Sequence, residues 1–186
     1  MLRKLLALTA VAVLTMGAAP AAQKPAPKAS APRAAAPKAA PAAKAAPFDA
    51  TDPASLITLL ASLDAKAEVA GKQSDGVLLK VTSPAGGFQA AYGGCNAQGR
   101  ACAALQFDAS AQRGVTISQI NDFNQSSLSC RIFQDRTGKP HVLYSTLVFA
   151  SDSRQEMLTQ IAAWRGCLGD FGAFLKDPPG YLASAP

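Results

Sequence analysis

Four cysteines and a single histidine are the residues of this 186-residue chain with the readiest chemistry. Cys95 and Cys102 flank the polar, glycine-containing loop Asn96-Ala97-Gln98-Gly99-Arg100-Ala101, a spacing that suits a local disulfide across a hairpin. Closing so short a loop is worth roughly 2–3 kcal/mol in chain-entropy terms. Cys130 and Cys167 are then left as a long-range pair, the alternative being two buried free thiols. Zinc is the competing use of four thiolates, but the short C-x-x-C knuckles of zinc sites do not occur here. His141 follows Pro140 at an expected strand start, with no Gly-x-Ser-x-Gly motif and no nucleophile placed to use it, so it reads as a surface or edge residue. Asp64, Glu68 and Asp75 stand near turns, where solvation accounts for them. No carboxylate pair, metal ladder or glycine-rich phosphate loop stands out, so no catalytic residue, metal or cofactor is expected.

Asn121 and Asn124 share a helical neighbourhood with Asp122 and Phe123. Asparagine inside a helix competes with the backbone for hydrogen bonds, so it needs a reason to be there. One reason is a grip on an extended peptide, which makes Asn121, Phe123 and Asn124 the candidate partner-binding residues. The other, preferred here, is a structural tie from the helix to a neighbouring strand or loop. Tyr92, Phe107, Phe123, Phe133 and Trp164 are expected in the core rather than in a ligand cage.

The elements that must position these residues are legible from periodicity and caps. Asp52 and Pro53 open a helix whose Leu56, Leu59, Leu60 and Leu63 recur at three- and four-residue steps. Strands are expected at Val77–Val81, Phe88–Tyr92 and Cys102–Ser110, with turns at Gly71, Asp75-Gly76 and Gly93-Gly94. Thr116 caps a second helix carrying Ile117, Ile120, Phe123 and Asn124. Cys130–Gln134 and His141–Ala150 form a hairpin around Asp135-Arg136-Thr137-Gly138-Lys139-Pro140. Ser153-Arg154-Gln155-Glu156 is a capping box, opening a helix with a stripe of Met157, Ile161, Trp164, Leu168, Phe171 and Leu175. Asp177-Pro178-Pro179-Gly180 is expected to end it. Gly166, Gly169 and Gly172 in that helix imply close backbone approach, to the sheet or to a second protomer, or else a weak, frayed end. The order α-β-β-β-α-β-β-α predicts an α+β fold: one antiparallel sheet of about five strands, covered by three helices.

Composition divides the chain unevenly. Met1-Leu2-Arg3-Lys4, the uncharged run Leu5–Ala18 and Ala19-Pro20-Ala21 make a secretory signal pattern, which assigns residues 1–21 to a cleavable signal peptide. The run is short for a membrane anchor, the alternative use of such a segment. Residues 22–50 read as a disordered linker: Ala22 to Pro47 alone holds thirteen alanines, six prolines, four lysines and one arginine. It spans roughly 80 Å if fully polyproline-like. Residues 51–177 form the folded domain and residues 178–186 a flexible tail. The net charge of +6 belongs to the leader and linker, because from Phe48 onward eleven Lys or Arg face twelve Asp or Glu. A basic nucleic-acid-binding face on the domain is therefore not supported, and export argues against that partner for the linker. Signal pattern and even cysteine count together predict a periplasmic or secreted protein with disulfides.

Several runs resemble the YbjN family: Gly94-Cys95 to Cys102-Ala103-Ala104-Leu105-Gln106-Phe107, Gly114-Val115-Thr116 to Ile120-Asn121-Asp122-Phe123-Asn124, Arg131 to Pro140, and Trp164-Arg165-Gly166-Cys167-Leu168-Gly169-Asp170-Phe171. The resemblance spans about Ala54 to Leu175. This chain departs from the family's arginine- and aromatic-rich pattern at Gln125-Ser126-Ser127-Leu128-Ser129-Cys130. The resemblance implies a sensory-transduction regulator of bacteria, with a fold similar to type III secretion chaperones and no catalytic residues. The expected function is thus a non-enzymatic, protein-binding adaptor or regulatory module of the envelope, with a homodimer as one form. The alternative is a protein held on anionic envelope polymers or lipid heads by its basic linker.

Overall fold

The structure, a computed structural model, describes residues 47–184; the expected signal peptide and nearly all of the linker lie outside the described residues. Ten elements follow one another: α1 (Pro53–Ala61), β1 (Lys66–Lys72), β2 (Gly76–Ser83), β3 (Gly86–Gly93), β4 (Ala104–Ser110), α2 (Ile117–Ser126), β5 (Arg131–Gln134), β6 (Pro140–Leu147), α3 (Arg154–Lys176) and α4 (Pro178–Ser184). The fold is α+β, with a six-stranded antiparallel sheet in the order β1-β2-β3-β4-β6-β5.

The caps form as their residue types dictate. The Asp52 carboxylate accepts from the Ala54 amide, and Pro53 sits in the first turn of α1, where its missing N–H costs nothing. Thr116 with Gln119 and Ser153 with Glu156 both close capping boxes. At Glu156 the Ser153 amide and hydroxyl hold the carboxyl below its usual range. In the β5–β6 turn the Asp135 carboxylate accepts from the amides of Thr137 and Lys139, and Gly138 supplies a φ of 80°.

Period-two alternation then splits the sheet into two faces. Val77, Leu79, Val81, Phe88, Ala90, Tyr92, Leu105, Phe107, Ile132 and Val142 form one core with Leu56, Leu59 and Leu60 of α1, Ile120 and Phe123 of α2, and the stripe of α3. At its centre Trp164 is fully buried, with ring centroids 5.5 Å from Phe88 and 5.6 Å from Phe107. Tyr92 is buried too and donates its hydroxyl to Ala50 O at 3.2 Å; burial, then the nearby Asp52 and Asp49, push its phenol far above the usual range.

Disulfides join Cys95 to Cys102 and Cys130 to Cys167, so none of the four thiols is free. The first staples the β3–β4 loop; the second ties the residue before β5 to the buried side of α3.

Two elements differ from the sequence-based expectation of five strands and three helices. β1 is the sixth strand: its residues Lys66–Lys72 are mostly exposed, and a register shift between Val69 and Gly71 breaks their alternation. Gly71, expected in a turn, lies inside it. The segment expected as a flexible tail carries α4, because Pro178 and Pro179 occupy a helix's first turn as readily as they end one. The Tyr181 amide bonds Asp177 O, and the Tyr181 ring stacks 5.6 Å from Phe123. The glycines of α3 are exposed, and a Cβ added at Gly166, Gly169 or Gly172 would meet nothing within 4 Å. Close approach to the sheet is thereby ruled out, and the helix runs on to Lys176 instead of fraying.

Candidate functional site

The second face of the sheet carries no helix. Its outward positions include Leu78, Lys80 and Thr82 on β2, Gln89 and Ala91 on β3, Ala104, Gln106, Asp108 and Ser110 on β4, and His141, Leu143, Ser145 and Leu147 on β6. Cross-strand register groups them into two zones. Near one end Gly93, Ala104 and Leu147 lie side by side, as do Leu78 and Ala91, giving an apolar zone in which Leu147 is 63% exposed. Toward the other end Lys80, Thr82, Gln89, Asp108, Ser110 and His141 line a shallow polar groove of about 270 Å³.

His141 is the best-organised group in that groove. Its Nδ1 lies 2.9 Å from Asp108 Oδ1, and since a carboxylate only accepts, Nδ1 carries the hydrogen. Its Nε2 is buried, 3.6 Å from Asp135 Oδ2, beyond hydrogen-bond range. Phe133 stacks on the ring at 4.8 Å and 26°. The Thr137 hydroxyl, then the Lys139 amide, hold the Asp135 carboxyl down at about 2, so it is an anion at neutral pH. Thus β4 supplies one carboxylate, the β5–β6 turn the other, and β5 the aromatic cover. Chemically this is an Asp108–His141 clasp with a second carboxylate, Asp135, just outside hydrogen-bond reach of the ring. The second carboxylate stands where a serine-type nucleophile would need to be, and no hydroxyl or thiol among the described residues is hydrogen-bonded to His141.

Sequence reasoning found His141 but missed Asp108, Asp135 and Phe133 as its neighbours. A usable signal existed: alternation puts Asp108 and His141 on the same polar side of their strands. Phe133 was expected in the core and is instead 38% exposed on this face, because β5 is an edge strand whose inward positions are taken by Ile132 and Gln134.

The three candidate partner-binding residues do not converge. Phe123 is fully buried against Phe174 and Tyr181. Asn124 donates Nδ2–H to Ile132 O at 3.0 Å and accepts from the Ile132 amide at 2.8 Å. Its amide thereby plays the part of a neighbouring strand along the outer edge of β5, which is the structural tie preferred from sequence. Asn121 is exposed and makes no side-chain hydrogen bond among the described residues.

Both sheet edges are consequently blunted. β5 is four residues long and sealed by Asn124, while β1 carries Lys66, Lys72 and a bulge. Among the described residues no group of three or more His, Cys, Asp or Glu is arranged to hold a metal, and no helix is long and apolar enough to cross a membrane. Comparisons of the chain with protein-family models, with curated proteins and with solved structures return no match.

Proposed function

We propose that this chain is an exported, non-enzymatic YbjN-like module that binds a protein partner through the uncovered face of its sheet. The observation that carries this reading is the face itself: six strands wide, helix-free, with both edges unsuited to strand addition and an apolar zone around Ala104 and Leu147. The YbjN assignment and its secretion-chaperone analogy rest on the short motifs quoted above. Two disulfides support an oxidising compartment outside the cytoplasm, and the signal pattern gives the route. No role in turnover is assigned to His141, which ties β6 to β4 through Asp108.

A second reading follows from the division of charge. The segment from Ala22 to Pro47 carries five cations and no carboxylate, so it suits anionic wall polymers or lipid heads, with the domain as cargo. Crosslinking and pull-down from the envelope fraction separate the two, comparing the full chain, a deletion of residues 22–47 and Leu147→Arg. The adaptor reading expects the same proteins from the full chain and the deletion, and their loss from Leu147→Arg. Capture that fails with the deletion and survives Leu147→Arg overturns it in favour of the linker.

A further inference from the structure

The β3–β4 loop carries backbone strain at a position where glycine would have avoided it. Between Gly94 and Ala101 three residues hold a positive φ: 66° at Gly94, 76° at Gly99 and 51° at Ala101. Glycine adopts this left-handed region freely, whereas the Cβ of alanine makes it costly. The other non-glycine residue there among the described residues, Asp64, is of a type that tolerates it. Ala101 is pinned from both sides. Before it, Arg100 donates its amide to Asn96 Oδ1 at 2.9 Å, and its Nε lies 3.1 Å from Asp52 Oδ2. After it, Cys102 is bridged to Cys95 and donates its amide to Thr51 O at 3.0 Å. Strain of this kind persists only where the surroundings impose it, and it gathers at functional sites.

The two bridges also differ in access. Cys102, Cys130 and Cys167 are buried, while Cys95 is only half-buried and its neighbours Gly94, Asn96 and Ala97 are exposed. Cys130–Cys167 is thus closed to an incoming thiol while the domain stays folded, and Cys95–Cys102 is approachable from the Cys95 side. Exposed or strained disulfides are the ones that exchange, and buried, relaxed ones are structural.

We propose that Cys95–Cys102 is a thiol–disulfide exchange site whose substrate is a dithiol. One thiolate of the dithiol attacks Cys95 Sγ. The S–S bond breaks, and its electron pair leaves on Cys102 Sγ, which takes up a proton. The second thiolate then attacks the dithiol's own sulfur in the mixed disulfide and releases Cys95, which is protonated in turn. Two electrons and two protons pass to the bridge, and the reductant leaves as a disulfide. Opening lets Ala101 leave the strained region. A monothiol is a poor substrate, because the hydrogen bonds of Asn96 to Gln98 and Arg100 keep the loop folded and hold Cys102 beside the mixed disulfide, ready to expel it. The bridge adjoins the open face, since Gly93 and Ala104 pair beside it, but the exchange does not rest on the partner-binding reading.

The full-length protein is equilibrated with increasing dithiothreitol, and its free thiols are trapped with iodoacetamide and located by peptide mass spectrometry. Cys95 and Cys102 are expected to be labelled at about tenfold less dithiothreitol than Cys130 and Cys167, with the circular dichroism unchanged between the two steps. Glutathione at the same thiol concentration should open the bridge about tenfold less. Ala101→Gly, which removes the strain, should require about threefold more dithiothreitol. The lone thiol that Cys102→Ser leaves at Cys95 should alkylate about tenfold faster than the one that Cys95→Ser leaves at Cys102. Labelling of Cys130 and Cys167 first or together with the other pair, an Ala101→Gly bridge that opens as readily as the wild type, equal opening by glutathione, or equal alkylation of the two single variants overturns the proposal.

Discussion

The two faces of one sheet are built from the same strands and differ in almost everything else. On the covered face Trp164, Phe88 and Phe107 pack edge-to-face and stacked around one core. On the open face the best-ordered feature is polar, the His141 clasp, and large apolar side chains such as Leu147 and Phe133 remain in contact with water. Alternation along each strand makes this division possible, since successive residues serve opposite faces. Stability is thereby concentrated on one side, and the other is left open to solvent.

The largest effect that sharpens the contrast is at the centre of the covered face. Trp164→Ala should cost about 3–5 kcal/mol, because it removes the largest buried side chain and leaves a cavity between Phe88 and Phe107. Urea unfolding followed by circular dichroism measures it. A loss below about 1 kcal/mol would mean that the core is not centred there.

Next come the disulfides. Replacing Cys130 and Cys167 by serine opens a closure across 37 residues and should cost about 4 kcal/mol, against about 2 kcal/mol for Cys95 and Cys102, which are 7 apart. Thermal unfolding of the two double variants should place the Cys130/Cys167 variant lower. The reverse order would break the assignment of that bridge to the covered side's stability.

A smaller effect is expected at the edge between the faces. Asn124→Ala deletes both hydrogen bonds to Ile132 and should cost about 1–3 kcal/mol. It also uncovers the β5 edge, so concentration-dependent association should appear by sedimentation. A variant that associates no more than the wild type, with unchanged stability, would show that Asn124 is not sealing the edge.

The smallest effect belongs to the open face. The folded-state value of Asp135, about 2, lies below its ordinary 3.8. The carboxylate therefore favours the folded turn above about pH 4, and that contribution fades as pH falls toward 2. Asp135 is half-buried in a surface turn and outside the core, so the change should be a local one: NMR shifts of Thr137 and Lys139 titrating near pH 2, with core resonances unmoved. A midpoint near 4 would remove the hydrogen-bonded turn from the account.

Much of the covered face was legible in the sequence because it follows simple periodicities. The leucines of α1, the stripe of α3 and the alternation of Val77, Leu79 and Val81 each satisfy one requirement, burial on one side. Capping chemistry at Asp52, Thr116 and Ser153 was equally plain, and the short Cys95–Cys102 spacing pointed to a local bridge, whereas Cys130 and Cys167 stood open between a long-range bridge and two free thiols. β1 escaped because an exposed edge strand has no buried alternation to display, and α4 because proline serves both as a stop and as a start. The open face was the least legible. Its clasp joins residues 33 apart in the chain, Asp108 and His141, and depends on the register between β4 and β6. Asn124 carried a visible oddity, an amide inside a helix, and Asn121 shared that oddity without sharing the role.

The division of labour between the faces is tested most directly by Leu147→Arg in the full-length protein, read by envelope crosslinking alongside thermal unfolding. The account predicts loss of the captured proteins with the unfolding temperature unchanged, since Leu147 is exposed and outside the core. Undiminished capture from that variant, at unchanged stability, would contradict it and move recognition off the open face.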